Sequence, residues 1–538
     1  MLFEPDTRHA GLRLRGDVHW LWRSRVGGTP ERIPLAEVDL RPSWTDRQWA
    51  PDVEVLRVTA DGVTSARERG VGLSTKLYYG FGSVAYGVKD NGFAYFLLLF
   101  YNQVLGLPAA WVGAGIMTAL IVDAVTDPIV GYASDNLHSR LGRRHPFMYA
   151  SAIPVAVAFY LLWNPPEGLS GSGLFGYFLF LAVLVRICIT FYEIPSTSLV
   201  AELTDDYDER TSMLAFRFFF GWWGGLTMAV IAYFVFLPQD LGGVLYRAGY
   251  GHYGLTAAAI MVVAILVSAG GTHRHIPHLR QPPEKRGFAA RRTLQEIGET
   301  LGNRSFLVLF LSALFSAMAA GITTSLNIYF NTFFWEFSSE QIGLLTLPLF
   351  VSAGAALVLA PRLSARFGKK HTAITIAAFA FAGAPLPIAL RLLGRFPANG
   401  TDALFATLLV FTVVEVTLII MVGILVSSMV ADIVEESEIT TGRRSEGVFF
   451  AARSFAQKSV HGIGIFSATM ILAAIDFPKD AGPGEVPADV VRNLGIVYVP
   501  ILMFVYLVAL VLLTGYRISR ETHAENLARL SRGGRDPE

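Results

Sequence analysis

The sequence is short of charge and almost without cysteine. Only 16% of its 538 residues are charged, against roughly 25% in an ordinary soluble domain. The single cysteine, Cys188, excludes an intramolecular disulfide and a cysteine-based zinc site. Basic and acidic residues balance at 44 and 43, which excludes a generally basic nucleic-acid binder. Because 53% of the residues are hydrophobic, the composition predicts a polytopic membrane protein.

Motifs of enzyme chemistry are also missing. The chain has no HExxH, GxSxG or Walker A string. A membrane-embedded enzyme or a non-transporting receptor is therefore the disfavoured alternative, and no cofactor is expected. The partners we expect are a small-molecule substrate and membrane lipid, with the protein acting as a monomer.

Twelve apolar stretches are long enough to cross a bilayer as helices, which takes about 20 mostly apolar residues each. Runs this continuous do not alternate at every second residue, as barrel strands do. The sequence therefore predicts an all-α integral membrane protein. Its twelve transmembrane helices are centred on 82–104, 109–134, 146–163, 173–201, 212–237, 253–271, 305–334, 341–361, 371–393, 402–430, 446–475 and 494–516.

Lysine and arginine collect in the even-numbered loops, such as 139–144 and 362–370, and are sparse in the odd-numbered loops. By the positive-inside rule, the even loops and both termini are expected in the cytoplasm, and the protein in the cytoplasmic (inner) membrane.

The two halves of the chain share a loop signature. Residues 139–145 read SRLGRRH, and residues 365–371 read ARFGKKH at the equivalent place in the second half. Two such strings indicate a parallel repeat whose halves are related by an axis along the membrane normal. We expect two six-helix bundles, at 76–272 and 305–516. A basic cytoplasmic linker is expected at 273–304 and a cytoplasmic tail at 517–538.

Residues 1–75 form a polar extension without the apolar core of a signal peptide. They are expected to be a small cytoplasmic segment with short strands, for example at 53–58. The alternatives are that this segment is disordered or that the gene start is placed too early. No function is assigned to residues 1–75.

Charges inside the apolar stretches cost at least about 2.5–3.5 kcal/mol each on insertion scales, so they mark function. Asp123 and Asp127 are four residues apart and share a helix face. Two carboxylates in a low dielectric repel each other, so this face needs a cation, a proton or a basic side chain. Oxygen ligands suit Na⁺ or H⁺. The alternative is an ion-paired cluster that only holds helices together.

Other charges within the stretches are candidate partners. Arg217 and Lys458 are expected to face the two carboxylates across a cavity, although Arg217 lies near a helix end and could instead reach the interface. Arg186 and Glu415 lack a spacing clue and are expected to form other interhelical pairs.

Several short motifs then occur in a familiar order. They are Lys76-Leu-Tyr-Tyr-Gly-Phe-Gly, Lys89-Asp90, Asp123-Ala-Val-Thr-Asp-Pro, Arg140-Leu-Gly-Arg-Arg-His-Pro, Glu193-Ile-Pro, and Lys458 twelve residues after Glu446. Over 76–516 the chain resembles the glycoside–pentoside–hexuronide:cation symporters, the melibiose-carrier branch of the major facilitator superfamily.

The resemblance implies two sets of site residues. Asp123, Asp127, Thr126 and Thr190 match cation-binding positions, with the two aspartates holding Na⁺ if sodium is the coupling ion. Asp90, Glu193, Arg217 and Lys458 match substrate-binding or coupling positions, and Thr197 stands where the sugar carriers have a tryptophan.

The function implied is cation-coupled symport of a small organic solute, a sugar or glycoside, by alternating access between two bundles. Two departures from the family pattern, Glu193 for aspartate and Thr197 for tryptophan, weaken the case for a simple galactoside. A carrier of lysophospholipid or another amphiphile is the alternative. The basic loops are expected to pair with Glu202, Asp205 or Glu435 and close the cytoplasmic side.

Overall fold

The computed structural model divides the chain into two units, Met1–Gly72 and Leu73–Glu538. The residues that it describes are 3–6, 11–14, 20–23, 31–34, 56–59, 62–65, 71–204, 207–278, 304–441, 446–479, 481–482 and 484–516.

The first unit contains three two-stranded antiparallel hairpins in its described residues. The strand expected near 53–58 overlaps the strand Leu56–Thr59 in the described residues. The strands pair in sequence order, and they are β1 (Phe3–Asp6), β2 (Gly11–Leu14), β3 (Trp20–Arg23), β4 (Glu31–Pro34), β5 (Leu56–Thr59) and β6 (Gly62–Ser65).

In its described residues the second unit contains twelve long helical segments, which match the predicted spans in order and position. Short 3₁₀ turns lie at Gln239–Leu241, Gly243–Leu245 and Ile276–His278. The long segments are α1 (Leu73–Phe81, Ser83–Asn91 and Leu97–Leu99, with π-helical turns Gly92–Phe96 and Phe100–Val104), α2 (Ala109–Asn136), α3 (His145–Trp163), α4 (Gly171–Leu203), α5 (Tyr207–Ile231 and π-helical Ala232–Phe236), α6 (Arg247–His273), α7 (Arg304–Tyr329 and π-helical Phe330–Phe334), α8 (Ser339–Thr346 and Pro348–Phe367), α9 (Lys369–Gly383 and Leu386–Leu392), α10 (Asp402–Thr441), α11 (Glu446–Ala474) and α12 (Ala488–Thr514).

Ten of these segments, as far as the structure describes them, are long and apolar enough to cross a membrane. The other two are α1, which is broken into short pieces, and α11. The all-α membrane architecture predicted from the sequence is confirmed.

Glycines let the helices around the centre approach closely. On α11, a Cβ added to Gly464 would lie 2.2 Å from the carbonyl oxygen of Met318 on α7. On α2, a Cβ added to Gly113 would lie 2.1 Å from Oγ1 of Thr469 on α11. Small residues at such crossings are how membrane helices pack without a hydrophobic driving force between them.

Hydrogen bonds between the two six-helix halves gather at the end that carries the odd-numbered loops, here called the odd-loop end. Tyr329 donates to Oδ1 of Asn102 at 2.7 Å, and Gln103 donates to the Pro478 carbonyl at 3.1 Å. Gln239, on the loop after α5, makes two more such bonds with the start of α8. Its backbone amide donates to Oε1 of Glu340, and the Ser339 amide donates to its Oε1. These contacts tie the halves together at one end of the bundle.

The basic loop between α2 and α3 is held within its own half. Arg143 Nη2 lies 2.7 Å from Glu202 at the end of α4, and Arg144 pairs with both Glu202 and Asp135. Gly142 makes the turn with a φ of +73°, a conformation that favours glycine.

The expected pairing of a basic loop with Glu202 is confirmed for the loop between α2 and α3, and both partners belong to the same half. The side chains of Asp205 and Glu435 lie outside the described part of the chain.

Replacing Gly464 with alanine should destabilise the protein by about 1–3 kcal/mol, the usual cost of overpacking. Gly423 on α10 is the control, because nothing lies within 4 Å of a Cβ added there. Gly423→Ala should be neutral or stabilising, since alanine is favoured over glycine in helices by roughly 0.5–1 kcal/mol. Thermal unfolding in detergent measures both variants, and equal melting temperatures would contradict the close crossing.

Candidate functional site

The two aspartates of α2 lie on one face of the helix, as predicted. The Asp123 side chain is buried, whereas that of Asp127 is 20% exposed. Thr190 on α4 lies between them, with Oγ1 at 3.1 Å from Asp123 Oδ1 and 3.2 Å from Asp127 Oδ1. The Thr190 hydroxyl has one proton, so it donates to one of the two carboxylates at a time. Three oxygen-bearing side chains from two helices therefore converge on one point.

Two basic side chains neutralise the aspartates. Lys458 on α11 places Nζ 2.6 Å from Asp127 Oδ2 and 3.1 Å from Asp123 Oδ2. Arg186 on α4 places Nη1 3.2 Å from the same Asp123 oxygen. Removing one partner of such a buried pair leaves an uncompensated charge, which costs several kcal/mol. Because α11 belongs to the second half and α2 to the first, Lys458 joins the halves by charge.

The prediction that Lys458 faces the aspartates is thus confirmed, and Arg186 does form an interhelical pair. The same prediction for Arg217 is wrong. Its guanidinium donates to Ser196 Oγ at 2.9 Å and to the Glu193 carbonyl at 3.2 Å.

Aromatic rings explain the position of Arg217. Its guanidinium carbon lies 5.0 Å from the ring centre of Tyr86 and 5.9 Å from that of Tyr79. Cations are attracted to the faces of such rings. These rings and Ser196 satisfy the charge inside the first half, where the side chain is buried rather than extended to the interface.

Thr126 differs from the other predicted cation ligands. Its hydroxyl donates to the backbone carbonyl of Asp123 at 3.1 Å and not to a carboxylate. The structure therefore brings together Asp123, Asp127 and Thr190 but not the Thr126 hydroxyl.

A cavity of about 470 Å³ lies beside the aspartates, between the two halves. The first half lines it with Lys89, Asp90, Asn91, Phe93, Ala94, Ile116, Leu120, Asp123, Arg186 and Glu193. The second half lines it with Ala317, Ala320, Gln457, Lys458, His461 and Ile465.

Three of the five residues predicted to bind substrate line this cavity. Asp90 is about half exposed there and pairs with Lys89 at 2.6 Å, while Glu193 and Lys458 form other parts of the wall. Thr197 and Arg217 are not among the lining residues. The Thr197 hydroxyl donates to the Glu193 carbonyl at 2.6 Å, within its own helix.

Sequence reasoning expected an interhelical pair for Arg186 but gave it no role at the cavity, and it assigned no role to His461 or Gln457. A signal for Arg186 was present, since it lies four residues before Thr190 and so on the same face of α4. The interhelical pair expected for Glu415 is not found among the described residues.

Known proteins of similar sequence include symporters, a sugar transporter and a lipid transporter. The sphingosine-1-phosphate transporter MFSD2B of Mus musculus is 24% identical over 59% of this chain and 66% of its own length. An uncharacterised symporter of Synechocystis sp. is 26% identical over 84% of this chain and 95% of its own length. The isoprimeverose transporter of Lactiplantibacillus pentosus is 25% identical over 80% of this chain and 86% of its own.

A solved structure shares the fold. The D-xylose-proton symporter superposes with a TM-score of 0.52 and 16% identity, over 80% of this chain and 96% of that one. The sequence model described as MFS/sugar transport protein matches residues 78–520, which is well over half of the chain. The chain therefore belongs to the MFS/sugar transport protein family, and it is an integral membrane transporter.

Proposed function

We propose that this transporter moves a sugar or glycoside together with Na⁺ or H⁺ across the cytoplasmic membrane. The observation that carries the proposal is the contact of Lys458 with Asp123 and Asp127 at the wall of the cavity, between the two halves. This one contact links the charge state of the aspartates to the relative position of the halves.

The positive-inside rule supports an orientation with the even loops and both termini in the cytoplasm. The odd-loop end then faces outward, and its hydrogen bonds between the halves close the cavity from outside. The protein acts as a monomer surrounded by lipid. The sequence separates an N-terminal extension from the rest of the chain near residue 75, and transport belongs to the part after it.

Charge balance supports exchange of one positive charge at the aspartates. Lys89 near the site is paired with Asp90. Arg186, which is always protonated, lies 3.2 Å from Asp123, so we count its charge against one of the two carboxylates. The second carboxylate needs one more positive charge, which Lys458 supplies here. A coupling cation bound to Asp123, Asp127 and Thr190 would take that place and release the Lys458 ammonium.

Release of Lys458 provides the coupling. With the ammonium bound, the halves are held together at mid-membrane by charge, and with a cation bound they are free to move and to close around substrate. Coupling is reciprocal, so substrate must raise cation affinity as much as the cation raises substrate affinity. Thr126 would join the cation only by releasing the Asp123 carbonyl.

The cavity suits a neutral polyhydroxylated substrate. Its volume of about 470 Å³ is within the range of roughly 300–1,000 Å³ for small-molecule sites. Asp90 and Glu193 offer carboxylate oxygens that accept hydrogen bonds from hydroxyl groups. Charged side chains reach the cavity from both halves, and apolar side chains such as Phe93, Ile116 and Ile465 form the rest of its wall.

Uptake into proteoliposomes tests the substrate class. Isoprimeverose and melibiose should accumulate when a Na⁺ or H⁺ gradient is imposed, whereas glucuronic acid and lysophosphatidylcholine should not. A binding sugar should also raise the melting temperature of the purified protein, because it binds only the folded state. Transport of lysophosphatidylcholine alone would replace the sugar proposal with the amphiphile carrier.

The cation site is tested by Asp127→Asn, with Asp402→Asn at the exposed start of α10 as the matched control. Asp127→Asn should abolish stimulation of uptake by the gradient, because Lys458 and Arg186 then outweigh the single remaining carboxylate. The control should keep the stimulation. If gradient-driven uptake survives in Asp127→Asn, the aspartates do not bind the coupling cation.

Lys458→Gln removes the ammonium that competes with the coupling cation for Asp123 and Asp127, so the cation should bind more tightly. Half-maximal stimulation should then need a lower cation concentration than in the unmodified protein. An unchanged or higher requirement would contradict displacement of Lys458 by the cation.

A further inference from the structure

The second half offers few polar groups to the cavity. Ala317 and Ala320 on α7 and Ile465 on α11 are apolar, which leaves three polar side chains, all on α11: Gln457, Lys458 and His461. Lys458 is already bonded to Asp123 and Asp127. Two of its three N–H donors are used there, so Gln457 and His461 carry most of the unused polar atoms that this half offers to a bound molecule.

Neither side chain is fully used by the protein. Gln457 makes no hydrogen bond within the part of the chain that the structure describes. His461 has one, between Nδ1 and the Ala317 carbonyl at 3.3 Å. A carbonyl oxygen can only accept, so Nδ1 carries the proton and Nε2 of the neutral ring is an acceptor. No partner for Nε2 is found among the described residues.

The spacing places these groups together. Gln457 and His461 are four residues apart and share one face of α11, adjacent to Lys458. Asp90, Asn91 and Glu193 line the cavity from the first half. A molecule in the cavity can therefore hydrogen-bond to both halves at once.

Contact with both halves is what a transported substrate needs. A ligand shifts a conformational equilibrium only by its difference in affinity for the two states. A substrate held by the first half alone would bind equally well whether the second half is near or far. Polar contacts to α11 are thus the contacts that drive closure of the halves.

Resting on the proposed transport of sugars, we propose that Gln457 and His461 form the substrate-recognition site of the second half. His461 Nε2 accepts a hydrogen bond from one sugar hydroxyl, and the Gln457 amide bonds a neighbouring hydroxyl. The Ala317 carbonyl holds the imidazole in the tautomer that this requires.

Two substitutions at one position separate substrate recognition from a structural role. The variant His461→Asn keeps a donor near Nδ1 but has nothing at Nε2, whereas His461→Gln places a polar atom near Nε2. Isoprimeverose and melibiose should bind His461→Asn about three- to tenfold more weakly, the range for one uncharged hydrogen bond. His461→Gln should recover much of that loss, and Gln457→Met should show a loss of similar size.

Ser467→Ala is the matched control on α11, because its hydroxyl bonds the Ile463 carbonyl of its own helix and does not line the cavity. Stabilisation of the sugar-free protein by Na⁺ or by protons should be unchanged in every variant, since Lys458 and the aspartates are intact.

The outcomes are distinct. Equal sugar affinity in the unmodified protein, His461→Asn and Gln457→Met would overturn the recognition site and leave sugar transport standing. Loss of cation stabilisation together with sugar affinity would make His461 structural and overturn the inference. No binding of either sugar by the unmodified protein would overturn both this inference and the proposed substrate class.

Discussion

Two carboxylates one helical turn apart at bilayer depth are the constraint on which the rest of the site depends. Asp123 and Asp127 cannot both stay ionised in a low dielectric without compensating charge. Arg186 supplies one charge from α4, and Lys458 supplies the other from α11. Because the second charge arrives from the opposite half, electrostatic neutrality and the closeness of the two halves become one condition. Under the proposed mechanism, a carrier built this way couples ion occupancy to shape without a separate signalling element.

The packing around the site serves this condition. Glycines on α2 and α11 bring the two helices close enough for a lysine to span the gap. Hydrogen bonds at the odd-loop end hold the halves at the other end of the same seam. The basic loop after α2 is tied to α4 by Glu202, a contact within the first half.

The sequence predicted the twelve helices, the paired aspartates and the lysine that meets them, because these follow from hydropathy, from a four-residue spacing and from a family motif. It did not predict that Arg217 turns toward Tyr79 and Tyr86, or that Thr126 bonds its own helix. Such details depend on the rotation of each helix about its axis. That rotation is set by packing between distant segments, which hydropathy along one stretch does not contain.

The hydrogen bonds of Asn102 and Gln103 at the end of α1 also bear on the proposed alternating access. Opening the odd-loop end must break them together with the two bonds of Gln239. Four such bonds, at about 0.5–1.5 kcal/mol each, therefore favour the state in which that end is closed.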